Sequence, residues 1–196
     1  MTDEPTWTDY YENQGEREPR ELLLGVLASF PAPGDAIDLG CGQGIDAVAM
    51  LDRGWRVLAI DAEPEGIRRL EARLTPDRAE RCTVRLANME DAELPEVDLV
   101  HAAWSTFFCP PGRFAELWAN ITGAIRPGGR FVGEILGDRD TWAADPTRSH
   151  FAESDARALF DGLEIERFEE EENDGEACSG PKHWHVFHVV AQRPGP

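Results

Sequence analysis

Short apolar runs alternate with amphipathic segments along most of the chain. Ala36–Leu39 and Arg56–Ile60 are apolar enough to be buried strands, and Ile45–Asp52 between them has helical spacing. The same alternation predicts further strands at Thr83–Ala87, Val97–Ala102 and Arg130–Leu136, and helices at Glu21–Phe30, Pro64–Leu74 and Arg113–Ile125. Strands that alternate with helices are typical of a parallel sheet covered on both faces.

The pattern changes near the end of the chain. Ser154–Phe160 has helical spacing, whereas Leu163–Phe168 and His183–Gln192 are predicted strands with no helix between them. Two such strands pair in antiparallel fashion or not at all. The acidic segment between them, Glu169–Lys182, is predicted to be a solvated loop, long enough to form a flap over a site. The predicted fold class is therefore α/β, with a mostly parallel sheet that ends in an antiparallel hairpin.

The opening segment differs from the rest of the chain. It is polar and acidic and carries the aromatic residues Trp7, Tyr10 and Tyr11. Residues 1–20 are predicted to form an arm or lid, which is free of the core or folded over a site, and residues 21–196 to form a single domain.

Charge and composition exclude several classes of protein. The 196 residues are 41% hydrophobic and carry a formal net charge of −19. Such a surface repels a polyanion, so we expect no nucleic-acid partner. No run approaches the ~18–20 apolar residues of a membrane helix, and the first residues lack the pattern of a signal peptide. The four cysteines stand far apart without a metal-binding pair, so we expect no metal and a cytoplasmic location, with the oligomeric state open.

The strongest local signal is the glycine-rich turn after the first predicted strand. In the segment AIDLGCGQG, Asp38 is followed by glycines at positions 40, 42 and 44. A strand end, a glycine turn and a helix N-terminus together form a cradle that a ligand can approach closely. A dinucleotide fingerprint would need glycine at the position of Ile45, which disfavours an NAD-dependent oxidoreductase.

An acidic residue followed by G-x-G-x-G resembles motif I of the class I S-adenosylmethionine-dependent methyltransferases. The resemblance extends over about residues 20–192: it includes Asp61 in VLAIDAEP, the segment ANME after the third strand, the turn RPGGRF and the terminal hairpin. It implies a Rossmann-like seven-stranded sheet, S-adenosylmethionine as cofactor and S-adenosylhomocysteine as product. The compact size resembles the small bacterial tellurite-resistance and thiopurine-type group, which implies a small-molecule methyl acceptor.

The resemblance also implies roles for individual residues. Asp61 is expected to accept hydrogen bonds from the ribose hydroxyls, and Asp38 to receive the ammonium of the cofactor. Separately from the resemblance, the position of Arg20 alone suggests that it pairs with the cofactor carboxylate. Asn88 stands where many relatives carry Asp, so either Asn88 or Glu90 is expected near the adenine. The candidate cofactor-binding residues are Arg20, Asp38, Gly40, Cys41, Gly42, Gly44, Asp61, Ala62, Asn88, Met89, Glu90 and Ala103.

The acceptor is expected at the carboxyl ends of the strands. The Asn-Pro-Pro-Tyr motif of many amino-group methyltransferases is not found after the fourth strand, where the aromatic segment AAWSTFF stands instead. An aromatic wall suits small apolar or cationic acceptors, although core packing of Phe107 and Phe108 is an alternative. The candidate acceptor-binding residues are Tyr10, Tyr11, Trp104, Phe107 and Trp184.

Two histidines of the last strand are candidate bases. Alternation places His183 and His185 on one face and Trp184 and His188 on the other. Histidine titrates near neutrality, so either one suits proton removal from an acceptor. The alternative interpretation, which the pattern favours, is that both are ordinary strand residues. A second function also stays open, because an idle regulatory module that binds S-adenosylmethionine or S-adenosylhomocysteine would carry the same cofactor motif.

Overall fold

Seven strands pair into one sheet within residues 6–178 and 180–195, which this computed structural model describes. The strands are β1 (Asp35–Leu39), β2 (Arg56–Asp61), β3 (Cys82–Leu86), β4 (Val97–Ala102), β5 (Ile125–Leu136), β6 (Glu164–Ala177) and β7 (Gly180–Gln192). Their order is β3-β2-β1-β4-β5-β7-β6. The first five strands run parallel, and β7 is antiparallel to both β5 and β6. The predicted α/β fold class is confirmed.

Helices cover both faces of the sheet, as predicted. They are α1 (Trp7–Gln14), α2 (Glu21–Ser29), α3 (Ile45–Leu51), α4 (Pro64–Arg73), α5 (Pro76–Ala79), α6 (Pro111–Ala124) and α7 (Glu153–Ala158). Proline occupies the first turn of α4, α5 and α6, where its missing N–H costs no hydrogen bond.

Alternation along the strands divides the apolar residues between two cores. In β1, Ile37 and Leu39 face the core formed with α6 and α7, whereas Ala36 faces the core formed with α2, α3 and α4. Trp118 of α6 and Met50 of α3 are central members of the two cores. Because both faces are buried, most side chains of the central strands are apolar, and the carboxyl ends of these strands are left as the edge where a ligand can enter.

The prediction of a solvated loop over Glu169–Lys182 is wrong. β6 continues to Ala177 and β7 begins at Gly180, so most of the acidic run is an antiparallel ladder. Two of its carboxylates face a cation of another element: the Arg139 guanidinium donates to Glu170 and Glu172 at 2.5 and 2.8 Å. These partners are distant in sequence, so the local composition gave no sign of them.

The fifth strand also differs from its prediction. The predicted turn at Pro127–Gly129 lies inside β5, which begins at Ile125. The register with β4 jumps from Val97↔Ile125 to Leu99↔Arg130, so the turn is an irregularity within a longer strand. No helix in the described part of the chain is long and apolar enough to cross a membrane.

Candidate active site

The turn after β1 is built around glycines that no other residue replaces without strain. Gly40 and Gly44 have φ of +78° and +80°, in the left-handed region. A Cβ at Gly40 would overlap the Ser105 side chain, and one at Gly44 would overlap Leu70. The turn therefore lies directly against both neighbouring elements and opens α3 toward the carboxyl edge of the sheet.

Asp61, the last residue of β2, fixes the other side of this turn. Its carboxylate accepts hydrogen bonds from the backbone N–H groups of Gly42 at 2.7 Å and Glu63 at 2.8 Å. Burial raises the pKa of Asp61, while these backbone donors oppose the shift. The carboxylate is thus held in one orientation at the end of its strand.

A buried polar cluster lies beneath the turn. The Asp38 carboxylate, 2% exposed, contacts Nδ1 of His101 through Oδ1 at 2.8 Å. Burial lowers the pKa of His101, but the carboxylates of Asp38, Asp46 and Glu134 outweigh it and raise that pKa overall. The other carboxylate oxygen of Asp38 is buried and has no hydrogen-bond partner among the described residues.

The N-terminal arm covers the turn. Helix α1 packs on α4, and its Tyr11 is only 2% exposed and lies against Gly42 and Gly66. The arm is tied down behind α1, where Arg17 donates to the buried carboxylate of Asp46. Burial alone would raise the pKa of Asp46, yet the Arg17 guanidinium holds it below its usual range.

Between the arm and the turn lies a cavity of about 240 Å³, which we call the glycine-turn cavity. The sequence-predicted cofactor residues that line it are Arg20, Asp38, Gly40, Cys41, Gly42, Asp61, Ala62, Met89 and Ala103. Gly44, Asn88 and Glu90 are not among its lining residues. Gly44 packs on Leu70 instead, and the Asn88 amide donates to Asp91 at 3.3 Å.

A second cavity, of about 800 Å³, adjoins the first, and we call it the aromatic cavity. Of the predicted acceptor residues, Tyr10, Trp104, Phe107 and Trp184 line it, whereas Tyr11 lines the glycine-turn cavity. The hairpin tip closes one side through Glu176, Ala177 and Cys178. The two cavities share the lining residues Trp7, Tyr10, Gln14, Arg20, Trp104 and Phe108.

Trp104 stands where the two cavities meet and has an unusual backbone. Its φ of 55° is the only positive value of a non-glycine residue in the described chain. Its N–H donates to the buried carboxylate of Glu134 at 3.0 Å. That carboxylate lies 3.3 Å from Nδ1 of His188, whose Nε2 lies 2.8 Å from Glu171. The backbone at Trp104 is thus held by a polar chain that crosses β5, β7 and β6.

The structure does not bring His183 and His185 to these cavities, which contradicts their predicted role as bases. His185 is 0% exposed, and its Nδ1 accepts the Arg139 N–H at 3.0 Å while Nε2 lies 3.0 Å from Glu170. His183 lies between Asp174 and Glu172 on the same face of the hairpin. The alternation of faces is as predicted, but the face that meets the cavities carries Trp184 and His188.

Sequence reasoning missed several residues around the cavities. Trp142 and Arg148, from the segment after β5, line the aromatic cavity. Behind the wall, the buried Lys182 ammonium pairs with Asp140 and lies 3.8 Å from the Trp184 ring and 4.4 Å from the Trp142 ring. The sequence gives one signal of this cluster, the lysine at position 182 two residues before Trp184 in a predicted strand. It does not identify Asp140 as the partner of Lys182, because that pairing depends on the register of the hairpin.

Comparison with known proteins places this geometry in context. Residues 36–129 match the family model described as "Methyltransferase domain". Among curated proteins, a magnesium-protoporphyrin O-methyltransferase of Rhodobacter capsulatus is 31% identical over 100 residues, which are 48% of this chain and 44% of that protein. Hemagglutinin 1 of Eikenella corrodens is 28% identical over 167 residues, or 83% of this chain and 54% of that protein. The chain thus spans about half the length of these relatives.

Solved structures share the fold at low sequence identity. TehB from Haemophilus influenzae superposes with a TM-score of 0.78 at 16% identity, covering 94% of this chain and 66% of that chain. A 1,6-didemethyltoxoflavin-N1-methyltransferase from Burkholderia thailandensis, solved with bound 1,6-didemethyltoxoflavin and S-adenosylhomocysteine, gives a TM-score of 0.70 at 19% identity, and the match covers 95% of this chain and 84% of that chain.

Proposed function

We propose that this chain, residues 36–129 of which match a methyltransferase domain, is a class I S-adenosylmethionine-dependent methyltransferase that transfers a methyl group to a small-molecule acceptor. The observation that carries the proposal is the pair of adjoining cavities. One lies at the glycine turn and is lined by carboxylates, and the other is aromatic. Trp104 lines both, so a donor in the first and an acceptor in the second would meet beside it.

The residues of the glycine-turn cavity fit S-adenosylmethionine. The buried Asp38 oxygen that lacks a partner among the described residues is a ready acceptor for an ammonium group. Asp61 lines the same cavity and offers its remaining lone pairs to ribose hydroxyls. When bound, the cofactor supplies a methyl group on a positively charged sulfur, already activated toward a nucleophile. We therefore propose the nine lining residues named above as its binding site.

The chain's own contribution is positioning and the exclusion of water. We propose that the predicted arm acts as a lid: residues 1–5 lie outside the described residues, and in the part from residue 6 to 20 helix α1 covers the glycine turn and Trp7 packs on Phe108 at 5.0 Å between ring centroids. No histidine of the described residues lines the aromatic cavity. An in-line displacement there depends on alignment and desolvation of an acceptor that presents a free lone pair.

The acidic surface supports a small acceptor over a nucleic acid, because phosphate contacts need clustered cations and the net charge is −19. Retention of tRNA at physiological ionic strength would contradict this part of the proposal. The free cysteines at positions 41, 82, 109 and 178 support a reducing, cytoplasmic compartment.

Turnover separates the proposed enzyme from an idle binding module. The purified chain is incubated with S-adenosylmethionine and a panel of small oxygen, nitrogen and sulfur nucleophiles, and formation of S-adenosylhomocysteine is measured. We expect S-adenosylhomocysteine to form only when a suitable acceptor is present. Because Trp142 lines only the aromatic cavity, Trp142→Ala is expected to slow this turnover and to leave the affinity for S-adenosylhomocysteine unchanged. Binding of S-adenosylmethionine without product for any acceptor would favour the regulatory module instead.

A further inference from the structure

The wall of the aromatic cavity is unusually rich in large rings. Four of the six tryptophans of the chain line it, together with two phenylalanines and a tyrosine. Neighbouring rings meet at steep angles: Trp104 and Trp184 at 88° with centroids 5.2 Å apart, and Trp142 and Trp184 at 66° with centroids 5.5 Å apart. The wall therefore offers both ring faces and ring edges, which an aromatic guest can meet in stacked or edge-to-face contacts.

Cations of the protein already lie over these rings. The Lys182 ammonium is 3.8 Å from the Trp184 centroid, and the Arg148 guanidinium is 4.2 Å from that of Phe108 and 4.9 Å from that of Trp142. Arg20 lies 5.7 Å from the Trp104 ring. A ring that has a cation on it attracts a second one less, and the two cations repel each other. The cavity is consequently a poor cage for an ammonium or sulfonium acceptor.

The charged residues of the lining balance one another. They are two arginines, Arg20 and Arg148, and two acids, Asp145 and Glu176. Arg148 and Asp145 form an ion pair at 3.5 Å. An anionic acceptor would be repelled by Asp145 and Glu176, and a cationic one by Arg20 and Arg148. The charges of the wall therefore favour the binding of neither an anion nor a cation.

The wall at the junction is fixed in place. Trp104 keeps its positive φ because Glu134, buried on β5, accepts its N–H. Strain of this kind persists only where the surroundings hold it, and it marks sites whose geometry is set in advance. A rigid aromatic wall suits a rigid guest, because little conformational freedom is lost on binding.

From these four observations we propose that the aromatic cavity binds a flat, uncharged aromatic or heteroaromatic acceptor, with its reactive atom toward Trp104. This inference rests on the proposed function, which it deepens by naming the class of acceptor. Binding measurements alone test it, without an assay of turnover.

The test is calorimetric titration of the full chain, saturated with S-adenosylhomocysteine, with four probes of similar size. Naphthol is flat and neutral, naphthoate is flat and anionic, naphthyltrimethylammonium is flat and cationic, and decahydronaphthol is neutral but not flat. We expect naphthol to bind about tenfold more tightly than each of the others. Equal or tighter binding of the cation, the anion or the saturated alcohol would overturn the proposal.

Variants locate the binding. Trp142→Ala is expected to weaken naphthol binding by about tenfold or more while S-adenosylhomocysteine binds as before. Phe30→Ala is the matched control, because Phe30 is also half-buried under a guanidinium, that of Arg130 at 5.1 Å, but lines neither cavity. Arg148→Met is expected to reduce the difference in affinity between naphthol and the cationic probe, because it removes a positive charge from the wall.

The same titrations distinguish a wrong acceptor class from a wrong proposed function. If S-adenosylhomocysteine binds and no naphthalene probe does, the acceptor class is wrong and the methyltransferase proposal stands. If S-adenosylhomocysteine itself does not bind, the proposed function is wrong.

Discussion

Asp61 orders the glycine turn and faces the cavity with the same carboxylate. Its bonds to the N–H groups of Gly42 and Glu63 set the oxygens in place before any ligand arrives. Burial raises its pKa, so the ionised form gains from each donor that reaches it. Two ribose hydroxyls are such donors, and a charge-assisted hydrogen bond contributes roughly 1.5–3 kcal/mol.

We therefore expect Asp61→Ala to weaken S-adenosylhomocysteine binding by roughly ten- to a hundredfold, the scale of one lost charge-assisted contact. Titration calorimetry measures the affinity directly. Asp52→Ala is the control, because Asp52 pairs with Arg78 and lies outside both cavities. An affinity that Asp61→Ala leaves unchanged would remove Asp61 from the binding site.

His188 joins the strands behind Trp104. Hydrogen bonding to Glu134 raises the pKa of His188, burial opposes the shift, and hydrogen bonding to Glu171 adds to it. A histidine with a raised folded-state pKa stabilises the fold fully below its unfolded value of about 6.5, and that contribution is lost as pH rises through the folded value.

Urea unfolding of the wild type and His188→Gln at roughly pH 6 and roughly pH 9 tests this linkage. The wild type is expected to be more stable than the variant near pH 6, and its advantage is expected to shrink toward pH 9. An advantage that grows with pH would show that His188 is not stabilised in its charged form.

Single residues show most clearly where sequence reasoning reached and where it stopped. Asp38 and Asp61 could be placed beside the cavity because Asp61 ends β2 and Asp38 lies one residue before the end of β1, next to the glycine turn. His183 and His185 could not be excluded, because their contacts with Arg139 and Glu172 come from a register that the sequence does not encode locally. Glu134 was missed because a lone acid in an apolar strand gives no indication of its partners.

Among the elements, the arm is the one that encloses the site. Helix α1 begins with a capping box in which Thr6 and Asp9 satisfy each other's backbone N–H groups. Behind it, the Arg17–Asp46 pair anchors the chain to α3, and the Asp46 carboxylate is almost fully buried. Without Arg17, the Asp46 carboxylate would keep the Arg20 backbone N–H at 3.0 Å and the Arg20 guanidinium at 3.6 Å, but would lose its two hydrogen bonds from Arg17.

Arg17→Ala is expected to reduce the free energy of unfolding by about 1–3 kcal/mol and to loosen the arm. Hydrogen exchange should become faster for the amides of α1, while those of α6, on the other face of the sheet, keep their rates. Equal acceleration in α1 and α6 would mean that the pair stabilises the whole domain rather than the lid.

In the β6–β7 hairpin, an acidic run forms a strand although its composition is typical of a solvated loop. An isolated acidic run repels itself and stays solvated, which is why the sequence predicted a loop. In the sheet, Glu170, Glu172 and Arg139 form one network, and the pKa of Glu172 is lowered to about 2 by the Arg139 and His183 hydrogen bonds. The acidic run can form a strand because several of its carboxylates pair with cations of other elements, and Glu169 pairs with Arg167 of the same strand.

At the scale of the whole molecule, the order of strands and helices along the chain was enough to predict most of the architecture. Five parallel strands and an antiparallel pair follow from the alternation of apolar runs with helices, and the glycine turn then locates one cavity at the carboxyl edge. The second cavity did not follow in the same way. Its walls come from the arm, two loops and the hairpin tip, which meet only after the sheet has formed.

Titration calorimetry with S-adenosylmethionine and S-adenosylhomocysteine, with NAD as the control ligand, tests the central claim most directly. The account predicts one site per chain that binds both adenosyl ligands with roughly micromolar affinity, at which NAD does not bind. Tight NAD binding, or no binding of either adenosyl ligand to the folded chain, would contradict the assignment of the glycine-turn cavity and the function proposed from it.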